Sequence, residues 1–116
     1  MKYEKLYKYI PYFNKNNSVI VHIGNGIGNI KYDTTFKQFI EDVYATDVIN
    51  YSSMYKHEMS RKTIDEIMFL DIDSVKAMIA HYVRAERFCD GAWQSAVKKG
   101  YFKVLLNRLF DLDNMI

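Results

Sequence analysis

Apolar residues recur along this chain at two spacings. Tyr3, Leu6, Tyr7 and Ile10 fall three and four apart with Lys2, Lys5 and Lys8 between them, which predicts a short amphipathic helix. Pro11 disfavours helical backbone at Ile10, so this helix is expected to end there, and residues 14–17, Asn-Lys-Asn-Asn, read as a loop. The pattern then changes. Val19 to Ile23 is a run rich in β-branched residues, followed by Gly24, Gly26 and Gly28. Asn25-Gly26 is a tight-turn pair, because both residues tolerate positive φ, so residues 19–31 predict a small β-hairpin with its turn at Asn25 and Gly26. A lone hairpin is marginal in water and has to lie on the helices to persist.

Helical spacing resumes at residue 34. Asp33, Thr34 and Thr35 offer caps, and Phe36, Phe39, Ile40, Val43 and Tyr44 give a stripe for a helix over 34–49, broken by Asn-Tyr-Ser-Ser at 50–53. Residues 54–70 are less regular, with a short helix suggested by Ile64, Ile67 and Met68. Asp71 is placed to cap a longer helix over 72–89 that faces Val75, Met78, Ile79, Tyr82 and Val83 inward and ends at Gly91. A short segment from Ala92 stops at Gly100, and a last helix, 101–112, carries Phe102, Leu105, Leu106, Leu109 and Phe110. The expected fold is mainly α: a single compact helical domain over 1–116, with four to six helices and a small hairpin near 19–31.

The 72–89 segment holds the most information. At 100° per residue, Met78, Ile79, Tyr82 and Val83 lie within about 80° of Val75, and Glu86 falls at about 20°, inside that stripe. A carboxylate there needs a partner. Arg84 falls on the opposite side with Ala77 and Ala80, whose small side chains would let a second element cover that face. These positions predict a polar network of Arg84, Glu86, Arg87, Asp90 and Arg108 joining the last two long helices. The competing reading is an anion pocket lined by Arg84 and Arg87.

Composition changes this picture little. The chain has 116 residues, 49% apolar and 26% charged, enough for a core without metal or disulfide staples. Its net charge of +2 is too small to mark a nucleic-acid domain by itself. The single cysteine, Cys89, excludes an intrachain disulfide and fits a cytoplasmic setting. The N-terminal stretch lacks the apolar core and small-residue cleavage site of a secretory signal, and no apolar run reaches the ~18 residues of a membrane span. Ten tyrosines and seven phenylalanines suit a small core or a binding surface.

Candidate chemistry is sparse. The glycines at 24, 26 and 28 lack the third glycine of a dinucleotide fingerprint, since position 29 is Asn. His57-Glu58 lacks the second histidine of a zinc helix, where Arg61 stands. Cys89 sits beside Asp90 at a helix C-terminus, which disfavours a thiolate. Glu41-Asp42, Asp65-Glu66 and Asp71/Asp73 occur where caps and solvated faces place acids. No catalytic residue, metal ligand or cofactor is assigned.

Residues 81–109, HYVRAERFCDGAWQSAVKKGYFKVLLNRL, resemble the C-terminal signature of a family of small bacterial and phage-associated domains of unknown function. Arg84, Arg87, Phe88, Cys89, Asp90, Gly91, Gly100, Arg108 and Leu109 match it, and Ile-Pro-Tyr-Phe at 10–13 is similar to the family's opening. The resemblance implies a mainly helical fold and carries no activity, cofactor or substrate with it.

The leading expectation is a non-enzymatic regulatory or protein-interaction module with a protein partner, no membrane contact, and compatibility with a homo-oligomer. The alternative is nucleic-acid binding through the N-terminal Lys-Tyr alternation and Arg84, Arg87, Lys98, Lys99, Lys103 and Arg108. A third reading is an enzyme with a small pocket around Arg84 and Arg87.

Overall fold

A computed structural model describes residues 2–24 and 30–115. The chain is mainly α with one small antiparallel hairpin. Seven α-helices occur among the described residues, more than the four to six expected, because several are single turns. The first two are α1 (Glu4–Tyr7) and α2 (Ile10–Lys15). Pro11 lies at the start of α2, where its missing N–H costs nothing and its fixed φ favours the helix. The proline therefore opens a helix instead of closing one, and the expected loop at 14–17 begins two residues late.

Strands β1 (Ile20–Ile23) and β2 (Ile30–Tyr32) form the hairpin, with Ile20 opposite Tyr32 and Ile23 opposite Ile30. A bulge separates Ile20 from His22. The turn expected at Asn25 and Gly26, within the Gly24–Gly28 loop, lies outside the described residues. Helix α3 (Thr34–Tyr44) follows and ends five residues earlier than its stripe predicted. Thr46 accounts for the early stop. Its hydroxyl donates to the Val43 carbonyl at 2.8 Å and accepts the Val48 N–H at 3.3 Å, which starts a 3-10 stretch over Asp47–Met54. The Asn-Tyr-Ser-Ser segment read as a break lies inside that stretch.

A second 3-10 stretch (His57–Arg61) leads to α4 (Ile64–Ile67), which has a reciprocal capping box between Thr63 and Glu66. Helix α5 (Ile72–Arg84) begins where expected, with the Asp71 carboxylate accepting the Ser74 N–H at 2.8 Å. It runs through the core with Val75, Met78, Ile79 and Val83 buried on one side and Ala77 and Ala80 buried on the other. It is covered on both faces, as its small residues predicted. Its α-helical geometry stops at Arg84 and tightens into a 3-10 turn over Ala85–Arg87.

Gly91, at φ 88°, and Gly100, at φ 84°, open α6 (Ala92–Lys98) and α7 (Tyr101–Asp113) from left-handed backbone that a Cβ would strain. The centre of the core is aromatic. Phe102 of α7 lies at 5.7 Å from Phe13, 5.9 Å from Phe36 and 5.5 Å from Phe39, so α2, α3 and α7 meet at one ring. Tyr44 and Phe110, expected inward, lie at the surface at 41% and 36% exposure, Phe110 edge-on to Tyr7.

Candidate functional site

Tyrosine hydroxyls explain much of the unusual composition. Tyr3, Tyr7, Tyr9 and Tyr12 donate to Asp47, Asp113, Asp42 and Asp33 at 2.8, 2.7, 2.6 and 2.6 Å. Each ring packs inward while its hydroxyl reaches a carboxylate on another element, so the N-terminal helices are tied to α3 and to the end of α7. Burial raises the pKa of Tyr7, Tyr9 and Tyr12 above the ordinary phenol value, and the accepting carboxylate adds to the rise. Burial alone would lift the Asp113 carboxyl, but hydrogen bonds from Tyr7 and from the backbone N–H groups of Tyr3 and Lys2 hold it below the usual range. Asp42 is lowered in the same way by Tyr9, Gln38 and Lys8 against the effect of burial.

The signs fix the pH profile. A depressed carboxyl contributes stability above its unfolded value of about 3.9 and loses it as pH falls through the folded value. A raised tyrosine contributes below its unfolded value of about 10 and loses it as pH climbs through the folded one. Melting temperature should therefore plateau near neutrality and fall below about pH 4 and above about pH 10, and Asp113→Asn should shrink the acid limb. A melting temperature unchanged from neutrality down to about pH 2.5 would refute these pairings.

Lys76 was not singled out by the sequence, yet it is only 5% exposed. Its ammonium donates to the Tyr3 hydroxyl at 3.0 Å and lies 3.9 Å from the centre of the Tyr51 ring, which compensates for the lost water. Burial works against the charged form, but the Tyr51 and Tyr3 contacts outweigh it and raise the pKa.

The predicted network residues are drawn to separate tasks. Glu86 is half-buried and accepts three hydrogen bonds: from the Tyr32 hydroxyl at 2.7 Å, the Gly91 N–H at 3.0 Å and the Trp93 N–H at 2.9 Å. None of these donors is an arginine. The 3-10 turn after α5 aims this carboxylate at the start of α6, where free N–H groups need an acceptor. Arg84 donates to the Ser52 hydroxyl at 2.9 Å, and Arg108 donates twice to the Leu70 carbonyl at 3.1 and 3.0 Å. Arg87 and Asp90 are exposed. No ion pair joins any two of Arg84, Glu86, Arg87 and Arg108 among the described residues. Arg84 lines a shallow hollow of about 270 Å³ with Ser52, Ser53, His81, Ala85 and Phe88, and Arg87 is not part of its lining. Cys89 is exposed on the rim of another hollow, of about 460 Å³, beside His81 and Tyr101. His81 is stacked flat on Tyr55 at 3.7 Å, and burial lowers its pKa. No group of three or more His, Cys, Asp or Glu among the described residues could hold a metal ion.

A shallow, open recess lies along β2. About 480 Å³ is lined by Ile30, Lys31 and Tyr32 of β2, Lys37, Ile40 and Glu41 of α3, and Trp93 of α6. Three consecutive β2 residues line it and no described β1 residue does, so it runs along the edge of β2 that faces away from β1. The phase of the ladder follows from one hydrogen bond, Asp33 N–H to the Val19 carbonyl at 2.7 Å. Residues 31 and 33 turn their backbone groups toward β1, and Ile30 and Tyr32 turn theirs into the groove. No hydrogen bond from outside the hairpin reaches the backbone of Ile30 or Tyr32 among the described residues. Glu86 fixes both apolar walls, since it holds the Tyr32 hydroxyl and the Trp93 N–H. The Trp93 indole is pinned from behind by its N–H to the Val83 carbonyl at 2.8 Å. Sequence reasoning did not find this groove, because its residues come from three segments with no shared spacing.

Fold and site together define a small, mainly helical protein that carries a hairpin beside a groove. The chain matches the family described as a family of unknown function (DUF6508) over residues 2–114 and belongs to it. No curated protein and no solved structure matches the chain. No helix among the described residues is long and apolar enough to cross a membrane.

Proposed function

We propose that this protein is a non-enzymatic interaction module that takes a segment of a partner protein along the free edge of β2. One observation carries this reading: the backbone groups of Ile30 and Tyr32 turn away from β1, toward an apolar-floored groove, with no hydrogen-bond partner outside the hairpin among the described residues. An open strand edge is a template for another chain. Here α3 and α6 form walls beside the β2 edge, which would seat such a chain between them. Glu86, Arg84 and Arg108 are engaged in holding the walls and helix ends, which supports a scaffold role for these three charged residues.

Site-specific cross-linking tests the reading. A photoreactive amino acid replacing Glu41, in the groove wall, should trap a discrete partner in cells of the source organism, whereas the same group at Lys62, before α4, should not. Ile30→Pro removes one groove-facing N–H at the first strand position and should abolish the adduct without shifting the melting temperature greatly. An adduct that survives Ile30→Pro, or that forms equally from position 62, would overturn edge binding.

A further inference from the structure

We infer that the segment accepted by this groove is an acidic, extended peptide strand that alternates apolar and carboxylate side chains. The inference rests on the edge-binding reading above and adds the chemistry of the partner. Strand side chains alternate between faces, so Ile30 and Tyr32 share the inner face of β2 and Lys31 stands on the outer one. Ile30 and Tyr32 are partly or fully buried, and Lys31 is exposed. A third strand laid against β2 inherits the same alternation. Its inward residues meet Ile30, Ile40 and Trp93, and its outward residues stand beside Lys31.

Charge selects the outward residues. The exposed rim carries two lysines, Lys31 and Lys37, against one glutamate, Glu41, while the Glu86 carboxylate behind the walls is turned to its Tyr32, Gly91 and Trp93 donors. Neither lysine forms an ion pair among the described residues, although Lys37 and Glu41 are one helical turn apart. Opposite charges across neighbouring strands attract, and a basic strand would instead be repelled at both rim positions. A nucleic acid could use the lysines, but it has no amide edge to pair with Ile30 and Tyr32 and would leave the apolar floor unused.

The probe is a library of short random peptides displayed on phage and selected against the full chain. Enriched peptides are then labelled and titrated by fluorescence anisotropy at low and high salt. The enriched sequences should alternate Asp or Glu with apolar residues and should bind less tightly as salt rises. Lys31→Glu with Lys37→Glu should weaken them about tenfold, and Glu41→Lys should tighten them, a gain that misfolding could not produce. The backbone amides of Ile30 and Tyr32 should become protected from hydrogen exchange on binding. Enrichment of basic or uncharged peptides that still protect these two amides would overturn the acidic class and leave edge binding standing. Peptides that bind without protecting them would overturn both. Displacement of the peptide by a random single-stranded oligonucleotide of equal or greater affinity would also overturn the inference, in favour of a nucleic-acid surface.

Discussion

Phe102→Ala is expected to destabilise the protein by about 3–5 kcal/mol, enough to unfold much of it at ordinary temperatures. The ring is fully buried and touches four others: Phe13, Phe36, Phe39 and Tyr82. Those rings come from α2, α3 and α5, so truncation opens a void where four helices meet. These neighbours, one stacked and three edge-to-face, cannot close such a void without tilting away from their other partners, which is why collapse should recover little of the loss. Phe102→Leu keeps most of the volume and should cost markedly less. Denaturant unfolding of both variants checks this. A loss below about 1 kcal/mol for alanine would mean that the ring cluster does not organise the core.

Glu86→Ala should cost about 3 kcal/mol, because one carboxylate serves three donors at once. The Tyr32 hydroxyl and the Gly91 and Trp93 N–H groups all lose their acceptor. Water can reach part of this site, since Glu86 is half-buried, so the cost stays below the sum of three fully buried losses. Glu86→Gln keeps one oxygen but turns an amide donor toward donors, and it should fall between alanine and the native residue. Both variants should also weaken partner capture, since Tyr32 and Trp93 form walls of the groove. Arg87→Lys, by contrast, should leave stability nearly unchanged, because Arg87 is exposed. A large loss from Arg87→Lys with none from Glu86→Ala would favour an arginine-centred network.

The long helices were legible in the sequence because their periodicity is local. Val75, Met78, Ile79 and Val83 repeat at helical spacing and are buried as that spacing requires. Asp71 caps α5 as its residue type predicts, whereas Gly91, expected to end that helix, takes positive φ at the start of α6, seven residues beyond Arg84. Two boundaries were misread for the same reason. Pro11 suits the first turn of a helix as well as it ends one, and Thr46 could stop α3 only through hydrogen bonds that spacing does not reveal. The sequence identified Glu86 as a carboxylate in need of a partner but not which partner. The helical wheel assumes α geometry through residue 89, whereas the 3-10 turn at Ala85–Arg87 redirects the side chain toward β2 and α6. The groove was hidden for a related reason. Its polar edge is backbone, which carries no residue-type signal, and its walls come from residues 30–32, 37–41 and 93. Lys76 shows the converse: a lysine reads as solvated until the Tyr3 and Tyr51 rings around it are known.

Amide hydrogen exchange on the free protein tests the open edge most directly. The ladder phase predicts slow exchange at Lys31 and Asp33, whose N–H groups face β1, and fast exchange at Ile30 and Tyr32, whose N–H groups face the groove. The result that supports the account is this alternation in the free chain, with Ile30 and Tyr32 slowing once the partner is bound. Equal protection of all four amides in the free chain would contradict it, because the edge would then already be paired and no strand could be added.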